Sequence, residues 1–313
     1  MSRVLTTVVL LVLGHSPAVA GSGSGAGVPQ TEQTVPVTRG ARLTIENHAG
    51  EVIVRGSDRD AVRVHARHPA RTRVAVRTVP SGVHISSSGL HGPAGSVDYD
   101  ISVPTWMPIK IDGHFASIAV EGTESEVAAE TMRGDIVIKG GAAFVSGKSV
   151  EGEVKVEGAR GRITVSSINQ GVSVTASTGD IVAETVNGPI RLTKIESQHV
   201  DAGTVNGHIT FEGAAAARGK YRFSSHNGNI VVAVPESASA EFSVWTYNGT
   251  MNTNLPLQRG GEVGGGRRAT YTLGSGSAEF ELESFGGTIH LRRHGTLPSQ
   301  ANERREEEPE PDA

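Results

Sequence analysis

The sequence predicts an all-β protein: a parallel β-solenoid, or β-helix, with two strands and about 18 to 21 residues per coil, and a mixed or antiparallel N-terminal cap. Three observations carry this. Aliphatic residues recur every nine positions at Ile109, Ile118, Val127, Ile136, Val145, Val154, Ile163, Val172, Ile181 and Ile190, then slip by one residue to Val200 and Ile209. A second apolar or small residue follows two positions later, from Ile111 and Val120 through to Ala202 and Phe211, with Gly147 as the gap. A glycine stands two positions before the leading aliphatic at Gly134, Gly152, Gly161, Gly179, Gly188 and Gly207, and later at Gly228, Gly249 and Gly287.

An i, i+2 apolar pair places both side chains on one face of a strand, because strand side chains alternate. A nine-residue beat is then about five residues of strand and about four of turn. Helical reinforcement at i+3, i+4 and i+7 is missing, and Val, Ile and Thr crowd the segment. Asn precedes four of the glycines, giving Asn187-Gly188, Asn206-Gly207, Asn227-Gly228 and Asn248-Gly249. Both residue types tolerate the positive φ of a sharp corner. Their recurrence every second beat implies strands alternating between two faces. Equivalent corners would stack about 4.8 Å apart, so the Asn side chains are expected to form a ladder.

Two rival periodic folds fail. A hexapeptide helix needs an aliphatic every six residues, but such steps from Ile109 meet Glu121 and Arg133. Calcium-loaded β-rolls place Asp where this chain has Gly; Asp135 and Asp180 come one residue late. An antiparallel meander stays open, although its hairpins would alternate two kinds of turn.

Along the chain, residues 1–20 read as a signal peptide. Arg3 gives the positive region, Val4 to Leu13 the apolar run and Ala18-Val19-Ala20 the cleavage motif, with a retained anchor as the alternative. The run is short for a bilayer. No second one follows, so the mature chain is expected to lack a transmembrane segment. Residues 21–34, opening with GSGSGAG, form a flexible linker. Residues 35–104 keep a looser rhythm of pairs (Leu43/Ile45, Val52/Val54, Val62/Val64, Val74/Val76, Val83/Ile85), with Arg63, His65 and Arg67 between them. Such strands have one wet face and would cover the end of the array. Residues 105–293 are the solenoid. Within them Gly260 to Gly266 reads as a loop, and Tyr271, Phe280 and Leu282 as part of a bulky final coil. Residues 294–313, ending in EEEPEPDA, are expected to be a disordered acidic tail.

Composition narrows the function. Only 4% of the 313 residues are aromatic while 40 are Gly, which suits a thin core of stacked small aliphatics. A net charge of −4 with mixed signs offers no basic stripe, so nucleic acid is not an expected partner. The absence of cysteine removes disulfides, thiolate metal sites and a lipid-attachment residue.

Chemistry is scarce. His65 and His68 would point to opposite faces of a strand, and His199 and His208 to opposite sides of a coil, so no metal or cofactor is expected. Asp135 and Glu153 occupy equivalent positions one coil apart, near Arg133. Stacked carboxylates about 4.8 or 9.6 Å apart fall in the range glycoside hydrolysis requires, so these three form the one enzymatic set that can be built. Yet outward charges are ordinary on a solenoid, and no cleft-forming insertion accompanies them. Trp245 and Tyr247 have outward parity, opposite to Phe242 and Val244. Outward aromatics can stack on sugar rings, although packing under a neighbouring loop such as Gly260 to Gly266 is their more ordinary role; this pair is the candidate contact for a partner or glycan.

Several phrases match a known pattern. Val103-Pro104 followed by Pro108-Ile109-Lys110-Ile111, the repeated Gly-x-Ile-x-Val units, Val234-Pro235 with Asn248-Gly249, and the closing run from Gly274-Ser275-Gly276 to Phe285-Gly286-Gly287-Thr288-Ile289-His290-Leu291 occur in order. Over residues 40 to 293 the chain resembles a bacterial envelope family labelled "putative adhesin", a domain of unknown function. The resemblance implies an exported β-solenoid and supplies no catalytic residues. The expectation is a non-enzymatic interaction module, periplasmic or at the cell surface. Its partner would be an envelope or surface protein, a glycan, or another copy meeting it through the solenoid edges. The alternatives are an envelope polysaccharide lyase or glycoside hydrolase, and an envelope-stress signalling accessory domain.

Overall fold

The aliphatic pairs point inward, as their period requires. Every leading residue from Ile109 to Ile209 is buried, and so are its i+2 partners from Ile111 to Phe211. The computed structural model describes residues 29–263 and 268–295. The expected signal peptide, the GSGSGAG leader and nearly all of the acidic tail lie outside them. No helix occurs among the described residues, and the 25 strands form one continuous sheet bent into two faces.

Parallel pairing at a step of 18 residues stacks like on like. On the first face, Val127, Val145, Ile163, Ile181 and Val200 are successive partners. On the second face the column is Ile118, Ile136, Val154, Val172, Ile190 and Ile209. Each coil thus repeats one small aliphatic cross-section, filled by β-branched leading residues and smaller i+2 partners such as Ala129, Ala183 and Ala202. After Phe211 the coils widen and rings replace methyls. Tyr221 stacks on Phe280 with centroids 4.3 Å apart, and Phe211, Phe223 and Phe242 pack around them.

Two features hold the corners, and one corrects the sequence reading. Gly188, Gly207, Gly228 and Gly249 do not adopt positive φ, nor do the asparagines before them. Glycine is required there for lack of room: a Cβ on Gly207 would lie 1.9 Å from the Gly188 carbonyl oxygen, and one on Gly228 2.0 Å from that of Gly207. The second feature is a buried column of hydroxyls. Ser149 donates to the Gly134 carbonyl (3.0 Å), Ser167 to Gly152 (2.9 Å), Thr185 to Gln170 (2.8 Å) and Ser225 to Gly207 (2.9 Å). Each bond ties one coil to the corner of the preceding one.

At both ends the spatial order departs from the sequence order. The strand Arg42–Ser57, placed in the cap by the sequence reading, is itself a full coil. It pairs in parallel with Ile109–Thr123, Leu43 opposite Ile109 and Val52 opposite Ile118. The chain then passes outside it, and Gly82–Gly89 and Asp98–Pro104 pair in parallel with its other edge. Antiparallel strands finish this end: Thr72–Val79 on the first face, Ala61–Arg67 and then Gln30–Pro36 on the second. The residues from Gln30 therefore belong to a strand and not to the linker. At the other end the last coil, Ala278–Ser284 and Ile289–Arg293, does not close the stack. It lies between the coil Lys220–Val234 and the strands Ala240–Thr246 and Met251–Thr253. Gln258–Val263 and Arg268–Leu273 add an antiparallel pair on the first face, so Gly260 to Val263, expected in a loop, lie in a strand, and the rest of that expected loop lies outside the described residues.

Candidate interaction surface

The first-face strand is followed by a fixed sequence of positions. Four residues beyond its leading aliphatic comes the buried hydroxyl, and six beyond comes a polar side chain. Between them, at the fifth position, the chain turns the corner and the side chain projects into solvent. Along the regular coils that position is held by Met132, Val150, Ile168, Val186 and Val205. Met132 is 52% exposed, Ile168 45%, Val186 40% and Val205 44%.

Rings continue this ridge in both directions. Toward the N-terminal end it passes to His114 and His48, whose centroids lie 5.7 Å apart. Toward the other end it passes to His226, Phe285 and Tyr247. Phe285 comes between the other two because its coil is inserted there, and it stacks on both neighbours at 4.7 Å with 10° between planes. An exposed apolar strip running the length of a protein marks an interaction surface more often than chance.

The sixth position forms the polar rim, and here the expected Asn ladder exists in altered form. Asn187 donates to Asn169 (3.3 Å), Asn206 to Asn187 (2.9 Å) and Asn227 to Asn206 (2.9 Å). Asn169 joins although no glycine follows it. Asn248 is cut off, because the inserted coil places Gly286 between it and Asn227. Below Asn169 the rim is charged. Arg133 donates to Glu151 at 2.6 Å and lies over the Phe115 ring at 5.7 Å. This hydrogen bond, reinforced by charge, raises the pKa of Arg133 and lowers that of Glu151.

The residues singled out from the sequence fall in two places. The Asp135 carboxylate accepts from the Glu153 backbone N–H at 2.8 Å, while the Glu153 carboxylate pairs with Lys155 at 2.8 Å. Arg133 is held by Glu151. All three lie on the corner and the open surface beside it. Trp245 and Tyr247 both face outward, 43% and 48% exposed. Tyr247 is the end of the ridge; Trp245 lies on the first face, opposite Arg268 in the adjacent strand.

Two shallow depressions lie on the first face, the first beside the ridge and the second at the opposite ends of the strands. One, of about 650 Å³, is bordered by Glu46, Asp112, Glu130, Lys148, Met132 and Ile168. The other, of about 720 Å³, is lined by Asp180, His199, Lys220, Arg222, Glu279 and Glu281. Their charges are mutually paired in part, Lys148 with Glu130 at 3.3 Å and His199 with Asp180 at 3.1 Å. Among the described residues no group of three His, Asp or Glu could hold a metal ion. The ridge was open to sequence reasoning, since Met132, Val150, Ile168 and Val186 recur every 18 residues. The place of Phe285 in it was not, because that depends on coil order.

A family model described as Toastrack DUF4097 matches residues 34–292. No curated protein matches the chain. Among solved structures, a "putative cell adhesion protein" from Clostridium sporogenes ATCC 15579 is 12% identical, with 85% of this chain and 100% of that chain covered and a TM-score of 0.21. A "putative adhesin" from Parabacteroides distasonis ATCC 8503 is 9% identical, with 85% and 98% covered and a TM-score of 0.46. No helix among the described residues is long and apolar enough to cross a membrane.

Proposed function

The chain belongs to the Toastrack DUF4097 family, and from that premise we propose that it is an exported, non-enzymatic binding module of the cell envelope that meets its partner along the corner ridge. The observation that carries this reading is the column from Met132 to Tyr247, exposed at each step except the half-buried Val150, set on a scaffold whose other apolar columns are buried. Export rests on the apolar run Val4 to Leu13 and the Ala18-Val19-Ala20 motif.

The ring geometry favours a protein partner over a glycan. Sugar stacking needs a free ring face. Both faces of Phe285 are occupied by His226 and Tyr247, which leaves its edge outward. Trp245 and Tyr247 extend the contact at this end. Asp135, Glu153 and Arg133 serve the corner, and hydrolysis through them finds no support in a surface without a cleft.

Binding of the mature chain to isolated bacterial envelopes tests the reading. Saturable binding should be lost when Ile168 and Val205 are both replaced by Asp, and no reducing ends should be released from acidic polysaccharides. Binding that survives the double variant, or depolymerisation abolished by Asp135→Asn, would overturn it.

A further inference from the structure

On the reading that the ridge is the contact surface, we propose that one of its partners is a second copy of this chain, packed ridge against ridge with the two solenoids antiparallel. The order of side chains along the ridge supports this. Taken in space it reads ring, ring, five aliphatics, then three rings, with His48 at one end and Tyr247 at the other. A two-fold axis midway between Ile168 and Val186 superposes this order on its reverse at every step but one, where Met132 meets His226. Ile168 of one copy then meets Val186 of the other, Val150 meets Val205, and the ring-bearing ends meet each other. An isologous contact demands such self-complementarity.

The rim fits the same arrangement. Asn169 of one copy comes opposite Asn187 of the other, Glu151 opposite Asn206, and Arg133 opposite Asn227. Within the ladder each central amide uses one N–H and one oxygen lone pair. The second N–H and lone pair are left for a donor or acceptor across the interface. A parallel pairing would instead set Glu130 against Arg133 and Lys148 against Glu151, but those charges already have partners within one copy. On the other flank Asp112 comes opposite Glu283, a like-charged pair at each end that added salt would screen.

The size of the contact sets its strength. About nine inter-strand steps give a ridge roughly 43 Å long, and with a width of about 10 Å it covers roughly 430 Å² per copy. The total of roughly 900 Å² is at the low end for specific complexes. The dimer is therefore reversible, and it forms more readily as salt rises.

Sedimentation velocity on the full mature chain, over a micromolar concentration series, reads the association directly. Wild type should shift from monomer to dimer. Ile168→Asp should stay monomeric with an unchanged circular dichroism spectrum, and Val137→Asp, on the second face, should dimerise as wild type does. Because the chain has no cysteine, V150C and V205C can be oxidised alone and mixed. The mixture should cross-link several-fold more than either alone. Monomeric wild type at every concentration, a dimer that survives Ile168→Asp, or V150C cross-linking to itself as well as to V205C would each overturn the proposal. If wild type is monomeric but Ile168→Asp and Val205→Asp together abolish envelope binding, the second copy is excluded and the ridge stands. If envelope binding survives those changes, the ridge itself falls.

Discussion

The regular coils and the N-terminal end are made from the same strands, yet they treat their polar groups differently. In the middle, a hydroxyl at one repeated position finds a carbonyl at another, coil after coil: Ser149, Ser167 and Thr185 make the same bond. At the N-terminal end that position is occupied by Ser87, Asn47 and Gly113. Asn47 gives its amide N–H to the Val97 carbonyl at 3.0 Å. Its Oδ1, the hydroxyls of Ser57, Ser87 and Thr123, and the Tyr99 phenol are buried without a hydrogen-bond partner, and these are all such side-chain atoms among the described residues. A repeat solves its hydrogen bonding once and copies the answer. At the N-terminal end the copied answer no longer fits, whereas the inserted last coil still uses it, Ser284 donating to the Gly228 carbonyl at 3.2 Å.

The largest test of this contrast is in the middle. Ile163→Asp buries an unpaired charge in a fully enclosed column and should cost about 4 kcal/mol or more, whereas Arg162→Asp, on the outer surface, should melt close to wild type. Equal melting temperatures would break the inward register on which the comparison depends. Next, Gly207→Ala sets a Cβ against the Gly188 carbonyl and should cost about 3 kcal/mol by denaturant titration. Gly92→Ala near the N-terminal end meets nothing within 4 Å at φ +91° and should cost only the left-handed strain of about 1 kcal/mol.

Tyr99 sharpens the contrast through pH. Burial pushes its phenol up to about 12, offset only in part by the nearby Ser87 hydroxyl. The folded protein therefore holds a proton that the unfolded chain, titrating near pH 10, releases. Stability from this group is intact below pH 10 and falls as pH rises toward 12, by up to about 3 kcal/mol. Tyr99→Phe should remove that share of the alkaline slope. The smallest expected difference is between two serines. Ser167→Ala breaks a repeated bond and should cost about 1 kcal/mol, while Ser87→Ala, losing a hydroxyl with no partner at hydrogen-bond geometry, should cost nothing measurable at neutral pH, where Tyr99 keeps its proton.

How much was legible follows the same division. The inward columns and the two faces could be read because each depends on residues a fixed distance apart, such as Val127, Val145 and Ile163. The rhythm of Leu43, Ile45, Val52 and Val54, with Gly50 two before Val52, matches the regular coils, yet its looser continuation to Ile85 put Arg42–Ser57 in the cap, although it is one of those coils. Coil order left no such trace. A parallel strand offers nearly the same hydrogen-bonding pattern on either edge, so nothing local to Phe280 or Ile289 says which coils will flank them. The positive φ expected of the corner glycines holds at Gly134, Gly161 and Gly179, whereas the glycines after Asn were found for a mistaken reason, since crowding by the coil below and positive φ select the same residue. The ridge was half legible: its aliphatic part repeats every 18 residues, while its stacked rings come from distant segments.

The inserted last coil has a mechanical consequence. Ile289–Arg293 is bonded along both edges, to Ile230–Val234 and to Met251–Thr253. A load applied to the C-terminus, whether by a protease drawing in the acidic tail or by a tethered partner, cannot peel the protein open one bond at a time. It must shear two ladders at once, the loading direction in which a β-sheet yields last.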